Sequence, residues 1–328
     1  MKKLLKAMGL FLAVVVMGIG FTGCQSSTTS KTYSIGFARY DSNPAYDDML
    51  NGIIDGMKQE GIAKENLNID EQSANLDAST AALIGDKFAT EKVDLAFGCA
   101  TAVAQAVFNA LSPKNIPTVF VAVTSPVDAG LTEGNITGVS DKIKPDEQLA
   151  LIRRILPDAK TIGIVYQTSA VNSQMAVDDI KAMADKYGFT IITKPAETIS
   201  DISMALDSLL GNVDCILNPN DNLMMSSVSL VLEKTNAKKV PYFGFISDET
   251  KAGAIANVSA NYYNVGVSAG IMGAKILKGE KASDIPFEYA KTDIYINSKA
   301  FEDLGITLPD DLKAEATDEA DVATDAAQ

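Results

Sequence analysis

Between Lys31 and Leu308 short apolar runs alternate with amphipathic stretches, in the rhythm strand, helix, strand. Tyr33 to Phe37 has the length and composition of a buried strand. Tyr46 to Glu60 carries Met49, Ile53 and Met57 at i, i+4 and i+8, which predicts a helix with one apolar face. A strand from Leu67 to Gln72, a helix from Ala78 to Thr90, a strand from Leu95 to Phe97, a helix from Ala102 to Leu111 and a strand from Thr118 to Val123 complete the series. This β-α order predicts a parallel sheet covered on both faces.

The pattern then restarts. Thr161 to Val165 echoes Tyr33 to Phe37, and Val177 to Tyr187 followed by Gly188 echoes Met49 to Glu60 followed by Gly61. Val213-Asp214-Cys215-Ile216 echoes Val93-Asp94-Leu95-Ala96, and Val240-Pro241 echoes Ile116-Pro117. Four landmarks in one order predict two similar doubly wound α/β lobes joined by a hinge. Residues 33–142 with about 260–287 form the first lobe, and 143–259 with about 288–309 the second. A Gly- and Ala-rich helix from Ser259 to Lys278 and a strand from Tyr289 to Ile296 are expected to recross the hinge.

The two ends fall outside this plan. Lys2, Lys3 and Lys6 precede an apolar run from Ala7 to Phe21 that ends in Thr22-Gly23-Cys24, the pattern of an export signal over residues 1–23. The Phe21-Thr22-Gly23-Cys24 ending resembles a bacterial lipobox, which makes Cys24 the expected lipidation site and residues 24–32 a flexible tether. Gly18 to Gly23 matches GxGxxG in letters only, since it follows no strand and opens no helix. Residues 310–328 carry seven acidic residues against Lys313, which reads as a solvated, disordered tail.

Composition narrows the chemistry. With 28 Lys and Arg against 42 Asp and Glu, the net charge of −14 argues against nucleic acid. The chain has no His, which removes imidazole bases, Ser-His-Asp and Cys-His nucleophiles and His-ligated zinc. No catalytic residue, metal or cofactor is expected. Cys99 and Cys215 fall in different lobes and read as two separate buried thiols.

In open α/β sheets ligands bind beyond the carboxyl ends of the strands, so two facing lobes place a ring of loops around one cleft. The ligand candidates in those loops are Tyr40, Asn43 and Tyr46; Thr101; Thr124 and Ser125; Asn172 and Ser173; Asp221 and Asn222; and Asp248. Hydroxyls, amides and carboxylates among aromatics suit a small zwitterion: helix N-termini receive a carboxylate, and Asp221 or Asp248 pairs with an ammonium. For each Ser, Thr, Asp or Asn taken singly, helix capping is the competing role.

At these loops the chain resembles a known family. Tyr166 to Ser173, Val119 to Val127, Asn135 to Ser140 and Pro219 to Asn222 are similar to the substrate-binding lipoproteins of ABC transporters in the tryptophan/tyrosine-binding group, and the similarity runs from Tyr33 to Pro309. The chain departs from the group at Ser125 and Ala170, where acidic residues are common. The resemblance implies a type I periplasmic-binding architecture that closes around an aromatic or other hydrophobic amino acid. It also implies partners: an ABC permease with its ATPase, reached by a monomer lipid-anchored to the outer face of the cell membrane. The alternatives are a sensory or adhesive surface lipoprotein of the same fold, and a His-free surface enzyme built on a carboxylate pair such as Asp248 and Glu249.

Overall fold

The apolar runs are strands of two separate sheets in the computed structural model, which describes residues 31–320. The expected signal segment 1–23, Cys24 and most of its tether, and tail residues 321–328 lie outside the described residues.

In chain order the first half holds β1 (Tyr33–Arg39), α1 (Pro44–Gln59), β2 (Leu67–Ser73), α2 (Ala78–Glu91), β3 (Leu95–Cys99), α3 (Thr101–Leu111), β4 (Thr118–Val121) and β5 (Ile136–Ser140). Helix α1 starts where it does because the Asn43 side chain accepts from Ala45 N at 2.9 Å and Pro44 fits the first turn. Asp77 caps α2 in the same way, accepting from Thr80 N at 2.6 Å. All five residues of β3 are buried, as a parallel strand covered on both faces requires.

The second half holds α4 (Pro145–Ile155), β6 (Thr161–Tyr166), α5 (Val171–Ala184), β7 (Thr190–Pro195), α6 (Ile199–Leu209), β8 (Cys215–Leu217), α7 (Asn222–Ser226), α8 (Val228–Ala237), β9 (Tyr242–Phe243), α9 (Ser247–Ala252) and β10 (Ala256–Ala260). The chain then returns to the first sheet through α10 (Tyr262–Leu277) and β11 (Glu288–Tyr289). It ends on the second through β12 (Thr292–Ile296), α11 (Ser298–Leu304), α12 (Asp310–Glu315) and β13 (Thr317–Asp318). Strand order is β11-β5-β4-β3-β1-β2 in one sheet and β13-β12-β10-β9-β8-β6-β7 in the other. Only the β10–β12 pairing is antiparallel among the described strands.

The repeated landmarks do the same work twice. Asp94 Oδ2 accepts from Ser34 N at 2.8 Å, tying β1 to the chain entering β3. Asp214 Oδ2 accepts from Lys160 N and Thr161 N at 2.7 and 2.8 Å, tying β6 to β8. The Pro117 and Pro241 carbonyls accept from Ala96 N at 3.1 Å and Ile216 N at 2.9 Å. Helices α1 and α10 touch backbone to backbone, because a Cβ on Gly52, Gly56, Gly266 or Gly270 would overlap main-chain atoms of the facing helix.

Three expectations need correction. The strand expected from Tyr289 to Ile296 is two strands: Glu288 and Tyr289 pair with Val139 and Ser140 in the first sheet, and the second sheet resumes only at Thr292. The hinge is therefore recrossed between them, a break that apolar content cannot signal. The helix expected from Ser259 starts at Tyr262, because Asn261 caps it and Ser259 belongs to β10. The acidic tail is folded as far as residue 320. Leu312 is fully buried, Arg154 binds Asp311 and Glu315 at 2.9 and 2.8 Å, and Glu319 N donates to the Ile296 carbonyl at 2.8 Å. One buried leucine and one arginine outweigh the charge pattern. Cys99 and Cys215 are free, buried thiols in different sheets.

Candidate functional site

In each sheet the strand order reverses next to its first strand: β1 lies between β3 and β2, and β6 between β8 and β7. The loops leaving β1 and β3, and those leaving β6 and β8, are the ones such a reversal parts to leave a binding crevice. They converge on one crevice of about 450 Å³, part of it open to solvent. Asn43, Tyr46, Thr101 and Thr124 reach it from one side and Asn172 and Asn222 from the other, six of the residues expected from sequence.

The crevice also holds a residue the sequence reading passed over. Asp141 lies at the end of β5, buried to 4% exposure. Its Oδ2 accepts from the Tyr262 hydroxyl at 3.0 Å, while its Oδ1 meets no donor in hydrogen-bonding geometry. Burial pushes its carboxyl from 3.8 up to about 6, with the Tyr262 hydroxyl and the nearby Asn220 and Thr124 side chains tempering the rise. Burial and the neighbouring Asp141 hold the Tyr262 phenol well above its usual range, and burial and Asp41 do the same for Tyr46. Both phenols therefore stay neutral.

Two helix N-termini face the same space. Helix α3 begins after Ala100 and α5 after Ala170, and neither has a side-chain cap, so their first N–H groups are left for a ligand. The backbone around them is strained. Ala100 (φ 70°), Ala122 (φ 54°) and Asn220 (φ 74°) all line the crevice, in a region that non-glycine residues enter at a cost of about 1–3 kcal/mol. Met49, Met225 and Ile246 supply apolar wall.

Side-chain hydrogen bonds close the crevice across the two lobes. Asn220 Nδ2 donates to Thr124 Oγ1 at 2.5 Å, and the Ser226 hydroxyl donates to Asp41. Asn172 Nδ2 donates to the Asn220 carbonyl at 2.7 Å, holding that strained loop in place.

The other five candidates lie elsewhere. Asp221 is fully buried as the cap of α7, accepting from Met224 N at 2.9 Å and from Gln167 N at 2.7 Å, so its charge serves the backbone and not an ammonium. Ser173 is fully buried beside it. Ser125 donates to Asp128 at 2.5 Å in an exposed turn. Asp248 sits in the first turn of α9, paired with Lys251 at 3.1 Å. Tyr40 is buried near Asp221, outside the crevice lining. For Asp221, Asp248 and Ser125 local backbone or neighbouring charge won, the capping and turn roles that compete with ligand contact at every strand-helix junction. Glu249 is buried and holds the turn that presents Ile246. It accepts from Phe245 N at 2.6 Å, Ile246 N at 3.1 Å, Asn218 Nδ2 at 3.0 Å and the Tyr242 hydroxyl. Burial raises its carboxyl.

Among the described residues no helix is long and apolar enough to cross a membrane, and no three or more His, Cys, Asp or Glu are grouped to hold a metal.

Comparison with known proteins places this geometry. The family described as ABC transporter substrate binding protein matches residues 34–320. A tyrosine-binding protein of Clostridioides difficile is 33% identical over 319 residues, 91% of this chain and 92% of that protein. A Streptococcus pneumoniae ABC domain in complex with L-Trp superposes with a TM-score of 0.83 at 31% identity, covering 87% of this chain and 99% of that one. The ligand-free, open structure of a Clostridium difficile substrate-binding protein with adhesive properties is 35% identical over 88% of this chain and 99% of that one, yet superposes at only 0.67. That structure is described as open, whereas hydrogen bonds bridge the lobes here.

Proposed function

Since the chain belongs to the ABC transporter substrate-binding protein family, whose members are extracytoplasmic solute-binding proteins and not enzymes, we propose that its crevice captures an aromatic or other hydrophobic amino acid and hands it to a permease and ATPase. The fold is of the type I periplasmic-binding kind, two parallel-sheet lobes facing one another. The observation that carries the ligand class is Asp141: a buried carboxylate with one oxygen unpaired, opening on a crevice whose other near groups are neutral amides, hydroxyls and phenols, with Asp41 held by Ser226 at the edge. An isolated buried carboxylate is costly until a cation meets it, and a ligand ammonium supplies that cation. The ligand carboxylate then faces the uncapped start of α3 at Thr101, with Asn172 and Asn222 opposite. The relatives described as binding tyrosine and L-Trp point the same way.

Ligand contacts come from both lobes, so they form together only when the lobes close, and binding shifts the open-closed equilibrium toward the state a permease reads. We place the site on Asn43, Tyr46, Thr101, Thr124, Asp141, Asn172 and Asn222, the protein acting as a monomer anchored through lipid on Cys24. Isothermal titration of L-Trp, L-Tyr, L-Phe and L-Leu into the protein tests the reading. Micromolar or tighter binding of at least one supports it, and absence of heat from all four defeats it. Metabolic labelling with a radiolabelled fatty acid, lost in Cys24→Ala, tests the anchor.

A further inference from the structure

Helices α2 and α6 occupy the same place in their lobes: each leaves the edge strand, β2 or β7, and crosses β1 or β6 to reach β3 or β8. Their entries are built alike. Ala74 N donates to the carbonyl of Arg39, the last residue of β1, at 2.8 Å, and Ala196 N to that of Tyr166, the last residue of β6, at 2.9 Å. Asp77 then caps α2 and Thr198 caps α6, so both helices start at the carboxyl ends of the strands, where the crevice opens. Aligned on their first residues, Ala78 and Ile199, they agree at three exposed positions: Ser79 with Ser200, Leu83 with Met204, and Asp86 with Asp207. Spacings of four and then three put each trio on one helix face. Leu83 is 67% exposed and Met204 61%. A single exposed apolar side chain is ordinary. Two at one register position, one per lobe, each with Ser before it and Asp after it, are not demanded by either core.

The surroundings of both residues are acidic. Asp77, Asp86 and Glu91 lie on or beside α2, whose Lys87 is turned to Asp70 at 2.5 Å, while Lys92 follows its far end. Helix α6 has no basic residue, and Lys234 reaches it only to pair with Asp207 at 2.7 Å; Glu197 and Asp201 stand at its start. A second copy of this chain would bring like charge onto like, and an anionic membrane surface would repel both faces. The complement of an apolar tip edged with carboxylates is an apolar socket edged with Lys or Arg.

We propose that Leu83 and Met204 are the two points, one on each lobe, through which the protein docks on its permease, and that the permease presents a matching pair of apolar sockets rimmed with Lys or Arg. The inference rests on the transport reading above and names the surface by which that partner holds the chain. Each residue rides on its own lobe, so hinge motion changes the distance between them. A partner with sockets at a fixed separation engages both at one degree of closure and loses the second contact at any other. Closure is thereby read as a spacing, without any contact to the bound amino acid.

The test has two arms, both in cells of the native host whose own copy is deleted and replaced by the full chain. The first measures uptake of radiolabelled L-Trp, L-Tyr, L-Phe and L-Leu with wild type, Leu83→Lys, Met204→Lys and the double variant, alongside calorimetry on each purified protein. Either single variant is expected to lower uptake about three- to tenfold and the double variant further, with amino-acid affinity unchanged. The exchanges Leu83→Met and Met204→Leu should keep uptake. The second arm attaches a photo-crosslinker to Leu83→Cys or to Met204→Cys, the native Cys99 and Cys215 being buried. Both positions are expected to join the same integral membrane permease, identified by peptide mass spectrometry. Wild-type uptake that the double variant leaves unmoved overturns the docking surface alone. Adducts to a second copy of this chain, to lipid only, or from one position only also overturn it. Wild-type protein that takes up none of the four amino acids defeats the amino-acid transport reading, and crosslinking then decides the surface by itself.

Discussion

Replacing Asp141 with Asn is expected to move stability and affinity in opposite directions. The unfolded chain ionises this carboxyl near 3.8, whereas in the folded, ligand-free crevice burial holds it near 6. A carboxyl whose folded value is raised favours the native state most at pH values below 3.8, and that contribution is lost as pH rises toward and through 6. The interval is worth about 3 kcal/mol at ~1.4 kcal/mol per pH unit. At pH 7.5 the Asp141→Asn protein, which keeps an oxygen for the Tyr262 hydroxyl, is therefore expected to unfold at a temperature on the order of 5 °C higher without ligand. At pH 5, where the wild-type carboxyl is partly protonated, the gain should shrink by about half. Binding should weaken at least about thirtyfold, because the ammonium loses its counter-charge in a buried site, a loss of ~2–5 kcal/mol. Thermal unfolding at the two pH values, followed by titration with L-Trp and L-Tyr, reads both effects. A melting temperature and an affinity that fall together would make Asp141 a structural partner of Tyr262 and refute the assignment.

Wild-type affinity itself should be flat above pH 6 and fall about tenfold per unit below it as Asp141 takes up a proton; calorimetry across pH 4.5–7.5 that shows no break would remove the ammonium from this residue. Ser226→Ala breaks the bond to Asp41 across the crevice and should weaken binding several-fold, seen in stopped-flow as faster release. A Cβ at Gly270 would overlap the Ile53 carbonyl oxygen, so Gly270→Ala should force α1 from α10 and cost at least about 2 kcal/mol in chemical denaturation. Leu312→Ala removes the fully buried anchor of α12 and should cost about 2–3 kcal/mol, with proteolysis newly cutting near residues 309–316; unchanged protection there would mean that the segment does not depend on its leucine.

The strands and helices were legible because burial on both faces of a parallel sheet writes long apolar runs, and because the paired landmarks Asp94 and Asp214 cap equivalent strands. Six of the candidate residues that line the crevice were legible in the loops after strands: Asn43, Tyr46, Thr101, Asn172 and Asn222 follow strands at the two points of reversed order, and Thr124 follows β4. Asp141 was not, since a lone Asp after Val139-Ser140 looks like any polar residue at a strand end. What sets it apart is the absence of a donor for Oδ1, a property of packing. Asp221 misled in the opposite sense. Its position among Asn220 and Asn222 suggested a ligand, yet its oxygens are taken by Met224 N and Gln167 N. Sequence places a carboxylate at a loop but does not say how many backbone N–H groups reach it first.

The costly features of this molecule gather where the lobes meet. Ala100, Ala122 and Asn220 hold strained backbone there, and Asp141 holds a charge without a full set of partners. Asp141 ends β5 just before the chain leaves the first sheet, and Tyr262, which donates to it, starts α10 just after the chain returns. One hydrogen bond thus joins two of the three segments that connect the lobes, and a ligand ammonium on Asp141 acts directly upon that junction. With the lobes apart, water reaches the carboxylate; with them closed and empty, nothing replaces that water. An empty closed crevice therefore carries a cost that an open one does not, and an ammonium removes it by pairing with Oδ1. This differential is what a ligand needs to shift the equilibrium. Closure is then tied to the charge of the ligand.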